Sequence, residues 1–212
     1  MIATGKIALG AIALDSSQVY SQKGDLGAEV GHKGLGYSVH HATTKNGVPL
    51  DYEVTPANVA DVSSARFMLL NVLRYYYLLI LSVWKFLADA GYDALWLYQI
   101  IKILRGIAFI PINPRDDKKD WKDLYQQREN WYEGLDWKTK KRADPRFYTD
   151  VPRGTKEWKE NYKIRNVVEG GFYWLKHLLD MDRKRKIRAK NIKNVKARIG
   201  TAYLAIIISV FI

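Results

Sequence analysis

The chain contains no cysteine. Disulfides, thiolate-bound zinc and thiol nucleophiles are therefore excluded, and the composition agrees with a reducing compartment. Histidine is scarce as well: His32, His40 and His41 lie together near the start and His177 stands far away, which makes a histidine-based metal centre a poor fit. Long apolar runs are also missing. A membrane-spanning helix needs about 20 apolar residues; residues 67–84 are interrupted by Asn71 and Arg74, and residues 199–212 amount to only 14. A buried helix followed by a strand, and a terminal helix packed on the domain, are the expected forms of these two stretches. The opening apolar run is broken by Gly10 and ended by Asp15, so no signal peptide is expected.

What is present is a core and a strongly uneven charge. With 48% hydrophobic residues among 212, the chain can bury a domain of ordinary size. The net charge is +12, and all but one unit of it falls in residues 111–212. Between Arg183 and Arg198 there are nine basic residues and no acidic one, preceded by a stretch rich in Trp and Tyr. Such a surface suits a polyanion, with nucleic acid as the expected partner and an anionic membrane surface as the competing one.

Residues 7–14 form a continuous apolar run of strand length, which puts Asp15 at or near a strand end. After a glycine-rich connection, residues 37–43 and 49–55 read as two further strands joined by a hairpin turn at Lys45-Asn46-Gly47. A helix follows Thr55-Pro56-Ala57-Asn58. Residues 82–88 read as a fourth strand that ends at Asp89, Asp93 is placed to cap a helix over 94–104, and residues 107–112 make a fifth strand. Three antiparallel strands followed by alternating helices and strands predict a mixed five-stranded sheet flanked by helices. Residues 115–155 are polar and aromatic without a clear period, and are expected to be an insertion or connection. The segment 183–212 is basic and then apolar, with a helical ending. No internal repeat is visible, and the whole of 1–212 is expected to form a single domain.

The stretch YKIRNVVEGGFYWLK, residues 162–176, is the most informative. As a continuous helix at about 100° per residue it gathers Tyr162, Arg165, Glu169 and Lys176 on one face, with Val168, Phe172 and Leu175 to one side for burial against a sheet. Taken alone, that polar row fits a solvated face with i, i+4 salt bridges. Gly170-Gly171 is unusual inside a helix, where each glycine costs about 1 kcal/mol relative to alanine. A local kink or a close backbone approach to DNA would account for it.

Three carboxylates complete the pattern. If the first and fourth strands are neighbours, Asp15 and Asp89 meet at one end of the sheet, and a helix across that edge can bring Glu169 to them. Convergent carboxylates suit hard divalent cations such as Mg²⁺, and two such ions support in-line displacement at phosphorus. Each acid also has a plain structural reading: a turn residue, a cap and a surface charge.

These residues resemble the DDE transposases of prokaryotic insertion sequences, whose catalytic domain is ribonuclease-H-like. The resemblance is carried by Ala13-Leu14-Asp15-Ser16-Ser17, Gly36-Tyr37-Ser38-Val39-His40, Pro49-Leu50, the run from Val54 to Asp61, Ala88-Asp89-Ala90-Gly91-Tyr92-Asp93, and the signature Tyr-x2-Arg-x3-Glu-x6-Lys at Tyr162, Arg165, Glu169 and Lys176. It runs in order over residues 11–176. It implies that Asp15, Asp89 and Glu169 are catalytic and bind two Mg²⁺ ions, for which Mn²⁺ can substitute. It also implies that Tyr162, Arg165 and Lys176 contact DNA phosphates. The expected activity is metal-dependent strand cleavage and strand transfer on transposon ends and target DNA, by a homodimer in a synaptic complex, in the prokaryotic cytoplasm at the nucleoid and without a membrane. One departure is the short distance from Met1 to Asp15, so that the family's N-terminal DNA-binding region is expected to be missing. The alternatives are a catalytically inactive DNA-binding remnant and a basic peripheral membrane protein.

Overall fold

A sheet curls through the middle of the molecule and separates two apolar cores. The computed structural model describes residues 10–75, 85–113, 145–146, 149–180 and 187–211. The strands are β1 (Ala11–Tyr20), β2 (Glu29–Gly31), β3 (Gly34–Thr44), β4 (Pro49–Pro56), β5 (Lys85–Leu87) and β6 (Ile107–Phe109). The helices are α1 (Asp61–Tyr75), α2 (Leu95–Ile103), α3 (Lys156–Tyr162), α4 (Asn166–Leu178) and α5 (Ile192–Phe211). The sheet runs β2-β3-β1-β5-β6, with β4 also paired to β3. β1, β3 and β4 are antiparallel neighbours, whereas β5 and β6 join in parallel. This is the expected mixed α/β sheet of ribonuclease-H-like type, with a short sixth strand in the glycine-rich connection.

Period-two alternation along β1 decides which core each residue enters. Ile12 and Leu14 pack with Met68, Leu69 and Val72 of α1 and Leu97 and Ile101 of α2. Ala11, Ala13 and Val19 belong to the opposite core, with Val168, Phe172 and Leu175 of α4 and Val195, Ile199 and Tyr203 of α5. The apolar side predicted for α4 is thus the buried side. The β3–β4 hairpin turns where the Asn46-Gly47 pair lies: the Gly47 N–H donates to Thr44 C=O at 3.0 Å, and Gly47 has φ 82°, a conformation that glycine adopts without Cβ strain. α5 packs on β4 and α4, and among the described residues no helix is long and apolar enough to cross a membrane.

Four expectations change in the structure. Asp15 does not close β1; it is the fifth of ten residues, because the polar stretch after it continues to pair with β3 as far as Tyr20 opposite Gly36. Asp93 does not cap α2, whose N-cap is Ala94 with no side-chain bond. Its carboxylate is fully buried and instead holds Arg146 at 2.7 Å and accepts from the Asn113 N–H at 2.9 Å. The helix predicted from 162 to 176 is divided, since Lys163–Arg165 forms a 3-10 turn between α3 and α4. Finally, the irregularity precedes the glycines and is not at them. Residues 7–9, 82–84, 183–186 and most of 115–155, which hold the expected starts of the first and fourth strands, the insertion and the head of the basic run, lie outside the described residues.

Candidate active site

Register brings Asp15 and Asp89 together. Ala13 of β1 pairs with Leu87 of β5, so Asp15 and Asp89 each stand two residues beyond the last pair of two parallel strands. They leave the same end of the sheet, where β5 stops and β1 continues beside β3 alone. Such a place, at the carboxyl ends of parallel strands, is where open α/β sheets form their sites. The Asp89 side chain accepts from the Gly91 N–H at 2.8 Å and caps the 3-10 turn Ala90–Tyr92.

The α3–α4 segment brings the other candidates over this end. Arg165, last in the 3-10 turn, donates from Nη1 to Asp15 Oδ2 at 2.9 Å and reaches Glu169 Oε1 with Nη2 at 3.5 Å. Its guanidinium also lies over the Tyr162 ring, 5.6 Å from the centroid. Tyr162 in turn stacks on Trp158 at 4.7 Å, which fixes the ring between the core and the site. Glu169 is exposed at the start of α4, and Lys176 lies two turns further on, in the last turn of the same helix. Asp15, Arg165, Tyr162 and Glu169 thus form one connected group, with Asp89 beside it and Lys176 further along.

The two glycines of α4 differ. A Cβ on Gly171 would come 2.9 Å from Cε1 of His41, whereas one on Gly170 would meet nothing within 4 Å. Close approach to the buried His41 ring, which stacks on Phe172 at 3.9 Å, therefore accounts for Gly171. His41 also bonds Tyr203 of α5 at 2.7 Å, and burial pushes its pKa down to about 3, so it is a neutral core residue.

Burial makes the acids hard to ionise. It pushes the Asp15 carboxyl up to about 6; the Ser16 N–H and Arg165 oppose this, and Asp89 and Asp61 reinforce it. Asp89 is also raised, by burial first and by Asp61 next. Arg165 feels the opposite environment: burial disfavours its charge, but Asp15 and then Tyr162, Asp89 and Glu169 hold the proton more firmly.

Sequence reasoning did not single out Asp61, at the first turn of α1, as a member of this environment. The signal was available, because it ends the Val54-to-Asp61 run on which part of the resemblance rests. Among the described residues no group of three or more Asp, Glu or His side chains stands close enough to hold a metal ion. The donor chemistry nonetheless suits one: the groups are carboxylate oxygens, with Asp15 buried, Asp89 partly so and each disfavoured further by neighbouring acids, and Arg165 is the cation that touches Asp15. A divalent ion would relieve the same charge.

A mixed sheet of this order, with acids gathered at the carboxyl ends of its parallel strands, defines a ribonuclease-H-like protein. The family model for the transposase DDE domain matches residues 9–208, and the chain belongs to that family. No curated protein and no solved structure matches the chain.

Proposed function

We propose that this chain is the catalytic domain of a transposase that cuts DNA and joins the freed 3′-hydroxyl to target DNA in a metal-dependent reaction. The observation that carries the reading is the register of β1 and β5, which sets Asp15 beside Asp89 while α4 brings Glu169 through Arg165 to the same sheet end. In this reading Asp15, Asp89 and Glu169 hold two Mg²⁺ ions, and Mn²⁺ can substitute. When bound, such ions make a water or 3′-hydroxyl a better nucleophile and stabilise the leaving oxygen.

The chain's own residues supply the rest. Asp15 must lose its proton to serve as a ligand. Arg165 releases Asp15 and Glu169 and turns to a phosphate oxygen, for which its planar fork is suited. Tyr162 and Lys176 contact phosphates near the cut. The DNA partners are transposon ends and target, and a homodimer would hold two ends together.

One observation favours the inactive DNA-binding remnant: Arg165 occupies Asp15 and Glu169. Plasmid nicking separates the two readings. With Mg²⁺ or Mn²⁺ the wild type should nick DNA, and Asp15→Asn, Asp89→Asn and Glu169→Gln should each lose at least 100-fold in rate while retaining DNA affinity. A wild type that binds DNA and never nicks it with either ion would leave the remnant.

A further inference from the structure

Asp61 lies on α1, on the far side of the sheet from α4, yet its carboxylate reaches the site through Gly91. A Cβ on Gly91 would stand 2.9 Å from Asp61 Oδ2 and 3.0 Å from Asp89 Oδ1, so both oxygens border one small space that only a glycine leaves open. Asp61 is ionic company for Asp15 as well as for Asp89.

Two further groups neighbour these acids. The Tyr92 hydroxyl is fully buried and has no hydrogen-bond partner, and the charges that act on it are Asp61, Asp15, Asp89 and Arg165. Leaving a buried hydroxyl unmatched is destabilising. A water held by a cation between the acids would satisfy it. His40 is also fully buried; its Nε2 is 2.9 Å from Thr55 Oγ1, and its Nδ1 stops 3.5 Å from Asp61 Oδ1 without a hydrogen bond. Asp61 is not sealed in, because its side chain is 28% exposed and lines an open cavity with Ser16, Ser17, Ser38 and Asn58.

We propose that Asp61 is a fourth acidic ligand of the site, which with Asp89 anchors one divalent cation, while His40 orients the Asp61 carboxylate. The inference rests on the metal-dependent reading above. Mg²⁺ is commonly held by one or two carboxylates and several waters, with substrate phosphate completing the shell, so a pair of acids is a sufficient anchor without a third side chain. Tyr92 meets one of those waters. Neutral His40 with Nδ1 protonated can donate to Asp61 once the carboxylate settles on the ion, as partners beyond the ligands commonly do.

Mn²⁺ binding to the full chain without DNA, read by the loss of the free-ion paramagnetic resonance signal, tests this apart from activity. Asp61→Asn should weaken Mn²⁺ binding about tenfold, and His40→Gln by a smaller factor. Gly91→Ala keeps every charge and the fold, since only the ends of two carboxylates must give way. Its methyl displaces both oxygens and should weaken binding several-fold, which provides the test if Asp61→Asn does not fold. If Asp89→Asn weakens binding while Asp61→Asn and Gly91→Ala match the wild type, the role of Asp61 is overturned and the metal-dependent reading survives. If Asp15→Asn and Asp89→Asn also match the wild type, the metal-dependent reading itself fails.

Discussion

A carboxylate buried without enough positive charge around it stabilises the folded state only while it is protonated. Asp15 ordinarily ionises near 3.8 and in the fold near 6, so the folded chain holds this proton more tightly than the unfolded one. Its effect on stability is most favourable below about pH 4, is lost as pH rises towards 6, and stays unfavourable above that. The shift corresponds to something on the order of 3 kcal/mol. Asp15→Asn should therefore melt above the wild type already at pH 5, where about half of this penalty is present, and several degrees higher still at pH 8, less whatever is lost by leaving Arg165 with only Glu169. Calorimetric melts at the two pH values check it, and a gain no larger at pH 8 than at pH 5 would contradict the account.

The glycines of α4 give a second contrast at the residue scale. Gly170→Ala removes a helix-interior glycine in open space and should stabilise by about 1 kcal/mol. Gly171→Ala drives a methyl into the His41 ring and should cost about 1–3 kcal/mol, as overpacking does. Urea titrations of the two variants should move in opposite directions. From the sequence the pair looked alike, because His41 is 130 positions away in the chain and its place under α4 follows from the packing of β3, which no local pattern encodes.

At the scale of elements, what could be read in advance was what depends on neighbours in sequence. The Asn46-Gly47 turn and the buried side of α4 followed from turn chemistry and periodicity, whereas the adjacency of β1 and β5 that sets Asp15 beside Asp89 entered only as a condition. The misreadings involve distant partners. Asp93 has the position of a helix cap, but Arg146, 53 residues later, takes its carboxylate. Arg153 then closes the cluster, donating to the Ile110 and Arg146 carbonyls and to the Tyr98 hydroxyl. β1 likewise outran its apolar run because β3 offered partners to the polar residues after Leu14. Asp93→Ala tests the ion pair: it leaves a largely buried guanidinium without its carboxylate and should destabilise by about 3–5 kcal/mol, far more than the few tenths expected if Asp93 were an exposed loop acid. Chemical denaturation at pH 7 would measure it.

At the scale of the whole molecule the basic half is a set of phosphate partners only where its side chains are available. On α5 and the segment before it, Arg188, Lys190, Lys193 and Arg198 are exposed. Lys196 differs: both oxygens of Glu53 on β4 lie within 2.9 Å of its Nζ, which ties α5 to the sheet. Each lysine or arginine that neutralises a phosphate releases condensed counterions, so DNA affinity should fall steeply with salt and depend little on sequence. Lys193→Ala and Arg198→Ala should each weaken DNA binding and flatten the log affinity against log salt plot by about one unit, as Arg165→Ala should at the proposed cleavage site. Lys196→Ala should leave that slope unchanged and lower the melting temperature instead, by the loss of a partly exposed ion pair worth up to about 1 kcal/mol. Fluorescence anisotropy over a series of salt concentrations distinguishes these residues. A slope that moves with Lys196 and not with Lys193 or Arg198 would mean that DNA displaces Glu53, and that the outer face of α5 is not where the strand lies.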